Sequence, residues 1–114
     1  MIVHRMATQE DILAWFGRVP ASMRAMILVA DEEMIAIGGV AHFKDGARAF
    51  MEWNDKIKKY PIATMKASLA LMDRLRKDGY TSVMACLHDA VVAPRFLERL
   101  GFKPVTERVY RWDS

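Results

Sequence analysis

The stretch Ala90 to Trp112, AVVAPRFLERLGFKPVTERVYRW, constrains the fold more than any other part of the chain. Pro94 suits a first helical turn, where its fixed φ is already helical and its missing N–H has no partner to lose. Phe96, Leu97 and Leu100 then fall on one helical face, and Gly101 supplies the left-handed residue that stops a helix. From Phe102 the pattern changes to an extended run in which Val105, Val109 and Trp112 alternate imperfectly with Glu107, Arg108 and Arg111. A short amphipathic helix therefore hands over to a strand.

The preceding sequence supplies the sheet. Ile2 to Met6 reads as a short strand, and Thr8 opens a helix signal with Asp11 three residues on, reaching toward Gly17 and Pro20. Ile12, Leu13, Trp15 and Phe16 form its apolar face. Arg24 to Ala30 and Met34 to Phe43 read as an antiparallel hairpin turning at Asp31 and Glu32, the second strand carrying the Gly38-Gly39 pair. After a turn at Lys44 to Gly46, Ala47 to Trp53 is a third strand of this run, stopping in the polar segment NDKIKK. A long helix follows from Pro61 to Lys77, with Ile62, Met65, Leu69, Met72 and Leu75 at spacings of three or four. Arg74, Arg76 and Lys77 sit in its last turn, where cations favour the helix dipole, and Thr81 to Leu87 returns as a buried strand. The predicted order is β, α, ββ, β, α, β, α, β.

A length of 114 residues with 53% apolar content makes one core and one domain, 1–114. The 17 basic and 14 acidic side chains leave a charge of only +3, with both signs scattered, so nucleic-acid binding is not expected. No run approaches the ~20 apolar residues that cross a bilayer, and neither a membrane partner nor a secretory leader is read. Cys86, the only cysteine, is expected to pack as a small hydrophobe in its strand, which fits a reducing, cytoplasmic setting. His4 and His42 show no ligand spacing with Cys86, and no metal is expected.

RFLERLGF (Arg95 to Phe102), the strand VMACL before it (Val83 to Leu87) and the final VYRW (Val109 to Trp112), in this order of elements, resemble the GCN5-related N-acetyltransferase (GNAT) family over almost the whole chain. The resemblance implies an α+β, acyl-CoA N-acyltransferase fold, with a mixed, mostly antiparallel sheet flanked by helices. It also implies acetyl-CoA bound beside the long helix and transfer of its acetyl group to an amine. The chain is similar in particular to small acetyltransferase-like proteins of bacteriophages, which implies a host-cytoplasmic or virion location.

Departures from the family pattern are equally informative. Its Q/R-x-x-G-x-G/A loop opens the long helix with glycines that let backbone N–H groups reach a pyrophosphate. Counting back from Gly79 places Lys59, Tyr60, Pro61, Ile62, Ala63 and Thr64 there, with Ile62 and Thr64 at the glycine positions and no N–H on Pro61. Lys56, Lys58, Lys59 and Lys66, with the N–H groups of Ile62, Ala63, Thr64 and Met65, are expected to compensate. Trp53, Asn54 and Arg95 complete the expected cofactor contacts. The family's helix tyrosine acid is replaced by Leu97, and its asparagine after the preceding strand by Ala90.

Transfer to an amine requires a base, an oxyanion donor and a route for the departing thiolate. The expected catalytic residues are Glu52 as base, Tyr60 as substitute acid and His88, with Asp55 and Asp89 as further bases and a backbone N–H of Trp53 or Asn54 at the oxyanion. Each has a plainer reading. Glu52 is also a solvent-facing strand residue, Asp89 a turn residue, Trp53 a core aromatic and the lysine run a solvated loop. Two functions follow: an acetyl-CoA-dependent acyltransferase with an amine substrate, or a scaffold without turnover that binds a virion protein or a second copy of itself.

Overall fold

The computed structural model describes residues 1–86 and 94–114. Among the described residues, seven strands form one sheet in the order β1-β2-β3-β4-β5-β7-β6. They are β1 (Ile2–Met6), β2 (Met23–Ala30), β3 (Glu33–Phe43), β4 (Gly46–Trp53), β5 (Ser82–Cys86), β6 (Lys103–Pro104) and β7 (Val109–Asp113). Every adjacent pair is antiparallel except β4 and β5, which are parallel and joined by the long helix α2 (Pro61–Lys77). A mixed, mostly antiparallel sheet flanked by helices is thus formed as expected. The further helices are α1 (Gln9–Phe16) and α3 (Pro94–Arg99), with a 3-10 turn over Asp55–Lys59.

Local chemistry places most boundaries. Thr8 caps α1 in a reciprocal box: its hydroxyl accepts from Asp11 N–H at 3.2 Å, while the Asp11 carboxylate accepts from Thr8 N–H at 2.8 Å. Arg5 holds that carboxylate from β1 at 2.6 Å, the largest reason its pKa lies well below the usual carboxylate range. Asp31 (φ 49) and Glu32 (φ 69) form the two-residue turn between β2 and β3, with successive left-handed residues matching the twist of the hairpin. Gly101 (φ 99) stops α3, and a Cβ there would lie 3.2 Å from Trp112 Cδ1.

The two faces of the sheet are covered differently. Helix α1 lays Ile12, Trp15 and Phe16 over Ala25, Ile27 and Ile37. Helices α2 and α3 cover the opposite face, where Leu71, Met72, Leu75 and Leu97 meet Val40, Val83, Phe102, Tyr110 and Trp112. Gly39 lies where β2 and β3 press together: a Cβ there would stand 2.1 Å from the Arg24 carbonyl oxygen.

Four expectations are corrected. Leu13 is not on the packed face of α1; it is exposed. The α2 stripe is displaced, because Ile62 and Leu69 are exposed while Ala63 and Ala67 face the sheet beside Leu28, Ala30 and Ala36. Small side chains there let the helix approach, which a hydrophobicity pattern alone does not register. The extended run after Phe102 is two strands, since Val105 and Thr106 N–H groups both donate to the Val109 carbonyl and turn the chain. Strand β5 is buried on one face only: Val83 and Ala85 are covered, whereas Ser82 and Cys86 are exposed, so Cys86 is not a core residue.

Candidate active site

Strands β4 and β5 share one register pair, Arg48 with Met84. Beyond it, among the described residues, Ala49 and Phe50 have no register partner in Ala85 and Cys86, so the two strands part there. The β4 lip carries usable donors. Asn54 N–H donates to the Ile35 carbonyl at 3.0 Å, and the alternation of an antiparallel ladder then directs the Glu52 backbone toward Ile37. The N–H groups of Met51 and Trp53 are directed the other way, toward the β5 side.

A cavity of about 300 Å³ lies behind the opening on the α2 face, with Met51 and Cys86 at its lips and Leu71, Leu75 and Leu97 among its walls. Gly38, between Ala36 and Val40, contributes floor without a side chain. The hydroxyl donors on the helix side are already committed: Thr64 Oγ1 donates to the Tyr60 carbonyl at 2.7 Å and Ser68 Oγ to the Thr64 carbonyl at 2.8 Å. The interior is therefore lined mainly by apolar groups.

Glu52 sits on the opposite face of β4, on the same side as Phe50 and α1. Its Oε1 accepts the indole N–H of Trp15 at 3.1 Å, a contact across 37 residues that strand alternation alone does not disclose. The opening thus separates an apolar chamber on one face from an exposed, oriented carboxylate on the other.

At the start of α2 the expected cradle is only partly available. The Asn54 side chain accepts from Lys56 N–H and begins the 3-10 turn, while Lys56 is paired with Glu33. Lys58, Lys59 and Lys66 make no ion pair among the described residues. Tyr60 packs with Trp53 and Ala63 against Ala30, away from the cavity, and among the described residues no side chain caps the helix. Thr64 N–H is not a free donor as expected, since it donates to the Tyr60 carbonyl at 3.0 Å, and Met65 N–H lies within the helical ladder. Ile62 and Ala63 retain the open N–H groups of the first turn. Asn54 N–H is likewise taken by β3, which removes it as the expected oxyanion donor.

The remaining candidates are dispersed. Asp55 and Arg95 are exposed, and Leu97 is buried in the core at the position where the family resemblance implies an acid. His88, Asp89 and Ala90 lie outside the described residues. His42 belongs to a separate cluster, with Ser22 Oγ 3.0 Å from Nδ1 and Tyr80 Oη against Nε2. Burial pushes the Tyr80 phenol up, and nearby Arg24, paired with Asp78 at 2.8 Å, opposes that shift. Among the described residues no group of three or more His, Cys, Asp or Glu side chains is placed to hold a metal ion, and no helix is long and apolar enough to cross a membrane.

No family model matches the sequence, and no curated protein matches it. Solved structures do. The chain is similar to the ribosomal-protein-S18-alanine N-acetyltransferase of Escherichia coli, with 16% identity, TM-score 0.71, and coverage of 99% of this chain and 94% of that one. An N-acetyltransferase of Staphylococcus aureus gives 11% identity, TM-score 0.74, and coverage of 99% and 98%. An acetyltransferase of Bacillus subtilis in complex with CoA gives 7% identity, TM-score 0.66, and coverage of 100% and 99%. At these identities the likeness establishes the GNAT fold.

Proposed function

We propose that this protein is an N-acyltransferase that takes an acyl group from a coenzyme A thioester, acetyl-CoA in the simplest case, and transfers it to an amine. The observation that carries the reading is the parting of β4 and β5 beyond Arg48 and Met84, with inward-directed N–H groups on one lip and an oriented carboxylate across the sheet. The CoA complex of the Bacillus subtilis acetyltransferase, which shares this fold, supports it.

The residues fit such a ligand at three points. Open N–H groups of Ile62 and Ala63, with Lys58 and Lys59 nearby in sequence, suit the diphosphate. Met51 N–H suits an amide oxygen of an extended pantetheine arm lying along a strand edge. Trp53 N–H at the end of β4 suits the thioester oxygen as negative charge develops on it. From the α1 face, Glu52 takes the proton of the attacking amine, directly or through water. The nitrogen–carbon bond forms, the carbon–sulfur bond breaks, and sulfur leaves as thiolate. An ordinary thiol pKa near 8.5 makes that departure feasible without the tyrosine acid that Leu97 replaces. Solvent then protonates the sulfur.

A second reading is favoured by one observation: Leu97 is buried among Leu71 and Phe102, and branched Ile62 and Thr64 occupy the helix start. A protein keeping the fold but not the turnover, in contact with a virion protein or a second copy, has this character. Titration calorimetry separates the two. Saturable binding of CoA and acetyl-CoA, with acetyl transfer to amines that falls in Glu52→Gln, supports the enzyme; no heat at millimolar CoA removes it.

A further inference from the structure

Resting on that reading, the geometry points to the class of acceptor: an amine bearing a carboxylate or phosphate at its far end, with the nitrogen at Glu52 and the anion between Arg48 and Arg111. Cross-strand partners share a face of the sheet. The register aligns Arg48 with Met84, Met84 with Arg111, and Arg111 with Lys103. Cations from β4, β7 and β6 therefore stand in one row, with uncharged Met84 of β5 between the two arginines. The row lies on the α1 face, because the alternate residues Val83, Ala85, Tyr110 and Trp112 are buried on the other side. Under the proposed function, this is the face from which Glu52 acts.

The packing of α1 leaves this part of the sheet accessible. Among the described residues, the cluster beneath α1 reaches β4 at Phe50 and includes no residue of β5, β7 or β6. Arg48, Lys103 and Arg111 are exposed, while half-buried Phe50, Met84 and Val109 supply an apolar floor. Arg48 Nη2 donates to Asp45 at 2.7 Å and Arg111 Nε to Asp113 at 3.2 Å. Each guanidinium keeps most of its N–H donors, and exposed pairs of this kind hold weakly. Lys103 makes no ion pair among the described residues, so the row stays positive. Neighbouring strands lie about 4.8 Å apart, which starts the two arginines on the order of 10 Å from each other. Two long side chains close that gap around an anion above Met84. Along β4, Arg48 and Glu52 are separated by roughly 13 Å of strand, a span for a chain of several carbons across Phe50. A carboxylate at one end and cations at the other match an acceptor carrying an ammonium and an anion in the same order.

The test measures CoA binding by calorimetry and acetyl transfer by the full chain to three matched amines: ω-aminooctanoate, ω-aminooctyl phosphate and ω-aminooctanamide. An anionic amine is expected to show kcat/KM at least about tenfold above the amide, as charge-assisted contacts supply, and the excess should shrink as salt is raised. An advantage confined to one of the two anions supports the inference and identifies the source of the anion. Replacing both arginines, Arg48→Gln with Arg111→Gln, should bring the ratio of anion to amide within about twofold. Should that double variant fail to fold, Arg111→Glu alone must reverse the order and place the amide above the octanoate. Equal rates with all three amines, an advantage that survives loss of both arginines, or CoA binding with transfer to none of the three overturns the inference while leaving the acyltransferase reading in place. Absence of CoA binding removes both.

Discussion

The indole N–H of Trp15 donates to Glu52 Oε1 at 3.1 Å, tying α1 to the end of the strand that borders the opening. One carboxylate oxygen is thereby fixed, and under the proposed function the other is left for an amine. Trp15→Phe keeps most of the aromatic packing against Ile12 and Ile37 but removes the donor. Steady-state kinetics should give a several-fold fall in kcat with acyl-CoA affinity unchanged, whereas Glu52→Gln should cost about 10²-fold or more if the carboxylate is the base. An equal fall in binding and turnover for Trp15→Phe assigns Trp15 to packing alone.

Neighbouring glycines should respond oppositely to the same added methyl. At Gly39 a Cβ meets the Arg24 carbonyl oxygen at 2.1 Å and Ala25 Cα at 2.6 Å, both backbone atoms that cannot rotate aside. At Gly38 its nearest neighbours are at 3.6 and 3.7 Å, ordinary contact. Urea unfolding should give Gly39→Ala a loss of about 1–3 kcal/mol or more and Gly38→Ala little change. Similar midpoints for the two variants contradict the close approach of β2 and β3.

The Asp31-Glu32 turn offers a gain. Glu32 holds φ 69 with a side chain that disfavours it, and Glu32→Gly removes the penalty in the position where hairpins prefer glycine. Thermal unfolding should register a stabilisation of about 1 kcal/mol. A lowered Tm argues against left-handed geometry at this residue.

Acid stability tests the cap of α1. Arg5, then Thr8, hold the Asp11 carboxyl below its ordinary pKa. A depressed folded-state pKa makes the unfolded chain bind more protons as pH falls, so the contribution is fully present above about pH 4–5 and lost below it. Asp11→Asn should lower stability by about 1 kcal/mol at pH 7 and flatten the fall between pH 5 and 2. Parallel pH curves for the two proteins contradict the pairing.

Local signals were legible because their physics is local. The Thr8 box, the Pro61 start of α2, the Gly101 stop and the hairpin at Asp31 depend on neighbours within a few residues, and strands β1 to β4 stand within one residue of their predicted bounds. Face assignment was less legible. Ile62 and Leu69 have helical spacing but face outward, since closeness to the sheet selects Ala63 and Ala67 for size rather than for hydrophobicity. The Val105 to Arg108 turn was hidden because nothing in its residues demands a break until β6 and β7 pair.

By itself, the sequence determined the element order as far as α3 and the capping chemistry, set by periodicity and turn residues, while the mixed sheet followed from the family resemblance. Only the tertiary structure decided where β4 and β5 part, which N–H groups are directed toward that side, that Trp15 reaches Glu52, and that small residues on α2 and β3 leave a cavity. Those features arise from register and distance between segments far apart in the chain, and a list of side chains in order carries neither.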